Sequence, residues 1–307
     1  MADQPSFVIG TRGSPLALAQ AHETQDRLSA ALGLDKDRFP LDVIRTTGDM
    51  IQDRPLSEAG GKGLFTKELD VAMLDGRIDI AVHSAKDLPN VLPDGLIIAG
   101  YLPREDVRDA LISRAGPSFA EMPAGTLVGS ASLRRQAMVR RLRPDLRVAL
   151  LRGNVGTRLA KIEAGEYGAT LLAMAGLRRL GLTHHVTAVL ETDAFLPAVG
   201  QGAIAIVTRE SDDSARAAVA RITDEVTGRQ LAAERAFLAV LDGSCRTPIA
   251  GHARVDAGTL SFSGLVLRPD GSEFVDAALD GPAADAARIG AEAGRSIRDR
   301  LPPAFFG

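Results

Sequence analysis

Two α/β lobes around a hinged cleft, followed by a small α+β domain, form the fold class the sequence predicts. Three observations carry that prediction. Short apolar runs alternate with helix-period patterns over the first two thirds of the chain, the rhythm of strand–helix units that build parallel sheets. Charged or Gly/Pro-containing stretches near 102–108 and 196–203 break the rhythm twice, as two crossings between hinged lobes would. From Thr227 onward a helix, three strand-like runs and a closing helix replace the alternation. A chain of 307 residues also exceeds the length at which one core usually stops growing. The expected division is residues 1–102 with 203–221, residues 103–202, and residues 222–307.

Ser6–Gly10 reads as a strand and Pro15–Leu32 as a helix, with Ser14 as its N-cap and Pro15 in its first turn. A strand running into a capped helix start presents free backbone N–H groups, and here Arg12, where an anion binds. Taken alone, the same motif is an ordinary cap. Leu41–Arg45 is a second strand. The polar stretch Thr46–Gly63 contains Gly60-Gly61-Lys62-Gly63; its spacing, and Gly63 after Lys62, rule out a P-loop and leave a flexible lid-like loop. A helix burying Phe65, Leu69, Ala72 and Met73 follows, then a buried strand Ile78–Val82 ending in His83-Ser84-Ala85-Lys86-Asp87-Leu88-Pro89. Loops at strand carboxyl ends line the ligand crevice of open α/β sheets, which nominates Ser84, Lys86 and Asp87. A surface ion pair between Lys86 and Asp87 is the plainer alternative.

The second lobe repeats the design. Strand Leu127–Gly129 meets a helix opening on Ser132-Leu133-Arg134-Arg135, and strand Arg147–Leu151 meets Arg152-Gly153-Asn154-Val155-Gly156-Thr157-Arg158. Strand Ala169–Ala173 meets a short helix carrying Arg178 and Arg179. Cations in a first turn oppose the helix dipole, so Arg134 and Arg135 require a negative partner. Leu196–Gly202 precedes the apolar run Ala203–Val207, read as a strand returning to the first sheet. In the tail, a helix bearing Leu231, Glu234, Leu238 and Leu241 leads to Cys245 on a turn. Ile249–Val255, Thr259–Val266 and Glu273–Ala277 read as strands, and Pro282–Leu301 as the last helix.

Net charge is only −3, yet residues 108–179 hold twelve Arg and Lys161 against five acids, a local excess of about +8. Such a segment in a mildly acidic protein points to a polyanionic ligand, and Arg grips carboxylate or phosphate through two parallel hydrogen bonds. For Arg140, Arg141, Arg143 and Arg147 a solvated basic face is preferred. No apolar run approaches the roughly 20 residues of a membrane helix, and Met1-Ala2-Asp3-Gln4-Pro5 lacks the basic start of a signal peptide. One cysteine excludes an internal disulfide, which fits a reducing cytoplasm. Five His without close Cys spacing argue against zinc, and no metal is expected. That cysteine, in Gly243-Ser244-Cys245-Arg246, reads two ways. Unpaired Cys is most often an inert packing residue, whereas small neighbours and Arg246 favour a thiolate.

Seven stretches together resemble the porphobilinogen deaminase family: Thr11-Arg12-Gly13-Ser14-Pro15-Leu16-Ala17-Leu18, Gly60-Gly61-Lys62-Gly63-Leu64-Phe65, the His83–Pro89 run, Ser132-Leu133-Arg134-Arg135-Gln136, Leu151–Leu159, Pro197-Ala198-Val199-Gly200-Gln201-Gly202 and Gly243-Ser244-Cys245. The resemblance spans nearly the whole chain in order and is weakest after about residue 250. It implies two periplasmic-binding-protein-like α/β domains around a cleft plus the α+β domain. It further implies that Cys245 holds, as a thioether, a dipyrromethane on which four porphobilinogen units are joined head to tail with loss of ammonia. Water then releases linear hydroxymethylbilane. Carried over by motif, Cys245, Lys86, Ser84, Ser132, Arg134, Arg135, Arg158 and Asp87 serve the cofactor. Arg12, Ser14, Arg152, Arg158, Arg179 and Gln201 serve the substrate, and Lys62 lies in the lid loop. Asp87 is the implied catalytic acid, stabilising the azafulvene cation left by ammonia. A cytoplasmic monomer that hands its product to the next tetrapyrrole-pathway enzyme is the implied setting. Ala131, where relatives often carry a hydroxyl, and Arg246-Thr247 depart from the family pattern.

Two rivals remain from the residues. A non-catalytic anion-binding protein explains the arginine junctions but not the Cys245 loop. An RNA-binding protein explains the basic segment, but no Trp and two Tyr leave few stacking platforms.

Overall fold

The computed structural model describes residues 6–50, 63–241, 247–302 and 305. The chain begins with β1 (Ile9–Arg12), α1 (Pro15–Leu32), β2 (Leu41–Ile44), a short α2 (Thr47–Met50), α3 (Lys67–Leu74), β3 (Ile80–Ser84) and β4 (Leu96–Tyr101). It continues through β5 (Asp109–Ser113), β6 (Leu127–Gly129), α4 (Leu133–Leu142), β7 (Arg147–Ala149), α5 (Val155–Glu163), β8 (Ala169–Ala173), α6 (Met174–Arg179) and β9 (Ala188–Leu190). It closes with β10 (Ile204–Arg209), α7 (Asp213–Ala220), α8 (Glu225–Val240), β11 (Ile249–Asp256), β12 (Thr259–Leu267), β13 (Phe274–Pro282) and α9 (Ala286–Arg298).

The first sheet has the order β2-β1-β3-β10-β4 and the second β7-β6-β8-β5-β9. In the first, β1 is parallel to β2 and β3, while β10 is antiparallel to β3 and β4. In the second, β6 is parallel to β7 and β8, while β5 is antiparallel to β8 and β9. The two sheets therefore share one topology, with the antiparallel strand fourth in each. That strand is supplied by a crossing both times: β5 follows the first, and β10 follows the second. The expected pair of like α/β sheets is present.

Two compact units divide the described residues. One takes those up to Ile51, within Gly60–Glu105 and within Ala203–Gly228; the other takes those within Asp106–Gly202 and Arg229–Gly307. In the first unit, Ile9, Ile80, Val82, Ile204 and Ile206 bury against Ala21 and Leu28 of α1 and Val219 of α7. In the second, Val128, Leu171, Ala137 and Met138 share one core with Ala250, Leu265 and Leu267 of the antiparallel β11-β12-β13 sheet. Beyond it, Ile289, Ala293 and Ile297 of α9 pack on Phe237 and Phe262, whose rings are 4.9 Å apart. Their four-residue spacing is the buried stripe the sequence shows.

Three expectations are corrected. Arg141 and Arg147 are exposed, as the solvated-face reading has it, whereas Arg140 and Arg143 are half-buried, and Arg140, Arg141 and Arg143 also make packing contacts. Arg140 donates to the Pro269 carbonyl at 2.7 Å, and Arg141 lies 3.6 Å over the Phe274 ring. Arg143 gathers the carbonyls of Phe119, Ala120 and Met122 beside Asp145. These side chains act at the packing of α4 on the β12–β13 hairpin and on a nearby turn. Gly271 in that hairpin has φ +78°, and a Cβ there would meet the Ala137 carbonyl at 2.6 Å; only glycine allows so close an approach. The second correction concerns strands: β4, β5 and β9 and helix α7 escape the sequence reading, because their edges merge with polar or Gly-rich stretches. The third is α9, which is shorter than expected. No helix of the described residues is long and apolar enough to cross a membrane.

Candidate active site

In the first unit, β1 and β3 end side by side, and their parallel pairing places the two following turns together. Ser14 caps α1 by accepting the Ala17 N–H at 3.2 Å, as the sequence predicts. Arg12, 18% exposed, reaches to 3.8 Å from Asp87 Oδ2, and its guanidinium lies 4.2 Å over the Phe65 ring. Asp87 pairs with an arginine from another strand end and is one-third exposed. Ser84 is held by Gln20 of α1, with contacts of 2.9 and 3.1 Å to the amide nitrogen and oxygen. Gln20, 4% exposed, is a residue that sequence reasoning missed. Its signal was a polar side chain on the buried stripe of α1. Lys86 and Asp87 form a short 3-10 turn after β3.

His83 sits just before them, 4% exposed, and its Nε2 has no hydrogen-bond partner among the described residues. Burial, then the charge of Arg12, pushes its pKa down to about 4 from 6.5. Between those values the unfolded chain holds a proton that the native state lacks. The associated stability is therefore whole above about pH 6.5 and is lost as pH falls toward 4, by up to about 3 kcal/mol at ~1.4 kcal/mol per unit. Urea unfolding at pH 7.5 and 4.5 is expected to show this loss, and His83→Gln is expected to flatten it. An unchanged slope in the variant would assign the dependence to other groups.

In the second unit, the strand-to-helix junctions also appear as read. Ser132 caps α4 by accepting the Arg135 N–H at 3.4 Å, and Asn154 caps α5 by accepting the Thr157 N–H at 2.9 Å. Gly153, at φ +112°, turns its carbonyl to accept Arg158 Nε at 2.9 Å. Arg152 and Arg158 are half-buried, and Arg179 donates to the Gly202 carbonyl at 3.3 Å.

The negative partner required by Arg134 and Arg135 is internal. Asp109, fully buried at the start of β5, takes Arg134 on Oδ2 at 2.7 Å and Arg135 on Oδ1 at 2.6 Å. Arg134 also donates to the Leu196 carbonyl and Arg135 to the Leu171 carbonyl. Both arginines are nearly buried, at 4% and 6% exposure. Gln201 is buried too, its amide N–H₂ donating to the Val107 carbonyl at 2.7 Å and to Asp109 at 2.9 Å. These three expected ligands therefore spend much of their hydrogen-bonding capacity inside the fold. The two guanidiniums, foremost among the lowering causes, hold the Asp109 carboxyl far below the usual range despite its burial. Its stabilising contribution is intact above about pH 4 and lost only as pH falls below that.

Lys62 and Cys245 lie outside the described residues. Among the described residues no group of acidic, His or Cys side chains could hold a metal ion.

The matching family models and the similar curated relatives carry one family name. The model described as "Porphobilinogen deaminase, dipyromethane cofactor binding domain" matches residues 7–217, and "Porphobilinogen deaminase, C-terminal domain" matches residues 229–299. A protein of Nitrobacter winogradskyi named porphobilinogen deaminase is 59% identical over 97% of this chain and 94% of its own. A Paracoccus denitrificans protein of the same name is 54% identical over 97% and 95%. Among solved structures, an ABC-transporter periplasmic substrate-binding protein from Coxiella burnetii aligns at 12% identity with a TM-score of 0.43, over 70% of this chain and 91% of that one.

Proposed function

The chain belongs to the porphobilinogen deaminase family, and from that premise we propose how its own residues carry the reaction. The enzyme joins four porphobilinogen molecules head to tail on a dipyrromethane, releasing ammonia and then hydroxymethylbilane by hydrolysis, a step of tetrapyrrole biosynthesis. The residues of these strand-to-helix junctions suit a group rich in carboxylates. In the first unit Arg12, Ser84 and Lys86 lie at or just after strand carboxyl ends, and in the second Arg152, Arg158 and Arg179 lie on the turns and helices that follow strands, where cations and hydroxyls can bind anions. Arg134, Arg135 and Asp109 together keep one net positive charge, and the buried Arg134 Nε has no partner among the described residues.

The assigned holders of the dipyrromethane are Cys245 through a thioether, with Ser84, Lys86, Asp87, Ser132, Arg134, Arg135 and Arg158. When bound, it supplies the pyrrole carbon to which the first substrate unit is joined. Arg12, Ser14, Arg152, Arg158, Arg179 and Gln201 are assigned to porphobilinogen, with Lys62 in a lid. Arg12 can orient a substrate carboxylate while Phe65 covers its face. Asp87 stabilises the positive charge left on porphobilinogen when ammonia departs, and it can take up the proton lost as the new bond forms. The observation that carries this reading is the 3.8 Å pairing of Arg12 with Asp87 at neighbouring strand ends: a cation for the substrate's carboxylate beside an anion for its cationic carbon.

The same reading takes the chain as a cytoplasmic monomer in three functional domains, 1–102 with 203–221, 103–202 and 222–307. Its linear product passes to the next enzyme of the pathway. Intact mass of the purified protein is expected to exceed the sequence mass by one dipyrromethane, with colour in acidic Ehrlich's reagent. A folded, unmodified chain with a freely alkylatable Cys245 would overturn the cofactor assignment.

A further inference from the structure

Asp109 opens β5 directly after the first crossing, and Gln201 lies in the second crossing just before β10. Arg134 and Arg135 stand in the first turn of α4. One fully buried carboxylate ties all of these together: Oδ2 to Arg134, and Oδ1 to both Arg135 and the Gln201 amide. Two features show that this cluster is more than a closed ion pair. Its charges sum to +1, an imbalance that is costly in a buried site unless an anion approaches. Among the described residues Arg134 also keeps a buried Nε–H with no acceptor, although its other nitrogens are taken by Asp109, the Leu196 carbonyl and a weak contact to Met138. Buried donors of native proteins are rarely left unsatisfied, and each exception points to a missing partner or a stored role.

We propose that Asp109 is the positioning residue of the arginine pair. By occupying one side of each guanidinium it fixes their orientation toward a pyrrole carboxylate, while anchoring the crossing that carries Gln201. It does not itself touch the pyrroles. The proposal rests on the assignment of Arg134 and Arg135 to the dipyrromethane. It follows from the geometry of planar donors: a guanidinium held along one edge presents its remaining N–H groups in a fixed fork. Without the anion, two buried cations repel, and both side chains leave that orientation.

The test compares Asp109→Asn and Asp109→Glu with the wild-type enzyme by circular dichroism, intact mass and steady-state kinetics. Asp109→Asn, the same shape without the charge, is expected to be folded at 20 °C with the dipyrromethane-bearing fraction reduced at least tenfold. Asp109→Glu keeps the anion on a longer arm; it is expected to regain at least half the wild-type fraction, with KM for porphobilinogen raised threefold or more. A folded Asp109→Asn enzyme loaded like wild type would overturn the proposal, even with a lowered Tm. So would a folded Asp109→Glu enzyme with unchanged KM, or one that loads no better than Asp109→Asn. Should Asp109→Asn be insoluble, the loading and KM of Asp109→Glu decide by the same limits, and failure of both to fold makes Asp109 a purely structural residue. If wild type itself carries no added mass, the assignment of the dipyrromethane fails instead.

Discussion

Asp87→Asn is expected to yield an enzyme that still carries its dipyrromethane but turns over about 10²–10⁴-fold more slowly, the range for loss of a positioned acid or base. The amide keeps the shape of the carboxylate and removes its charge. Positive charge developing on the substrate as ammonia leaves would then face a neutral dipole, with Arg12 still 3.8 Å from the same position. Fold stability should hardly change, because a partly exposed ion pair contributes only about 0–1 kcal/mol. The informative measurement is therefore a pair: intact mass for cofactor retention, and single-turnover rate for the bond-forming step. Retained mass with a rate within twofold of wild type would remove Asp87 from the chemistry. Loss of mass together with rate would move its role to cofactor assembly.

The second large effect is expected at Cys245. Cys245→Ser should purify at the sequence mass, give no colour with Ehrlich's reagent and show no detectable turnover, because a serine hydroxyl is a far weaker nucleophile than a thiolate. The arginine-bearing junctions would remain, so the variant is expected to keep its fold by circular dichroism. Any dipyrromethane found on purified Cys245→Ser would place the attachment elsewhere. The contrast with Asp87→Asn separates tether from catalyst. One variant is folded and empty, and the other is folded, loaded and slow.

Local chemistry made much of this protein legible in its sequence. Ser14, Ser132 and Asn154 lie at capped helix starts because a short polar side chain there satisfies N–H groups that the helix cannot. The arginines beside those caps, the strand ending at Ser84 and the stripe Ile289–Ala293–Ile297 follow from the same short-range periodicities. Motif order was enough to name a family. The hidden parts depend on residues far apart in the chain. The repeated sheet order left no sequence period, since β5 and β10 each join a sheet across a crossing, and pairing partners are chosen by burial rather than by neighbouring residues.

Arginine roles divided in the same way. Arg140 and Arg141 looked like solvated charge because nothing within a few residues engages them, and Arg143 because only the exposed Asp145 lies close in sequence. Their partners near 269–274 and 119–122 come close only when α4 packs against them. Arg134 and Arg135 pointed to an anion, and the sequence by itself determined that much: two cations on a helix N-terminus need compensation. Only the tertiary structure decided that Asp109, some 25 residues upstream, supplies it first. The reason is electrostatic. In a site this deeply buried, charges interact strongly enough for one carboxylate to organise two arginines and an amide. Which carboxylate stands there is set by strand pairing, not by sequence distance.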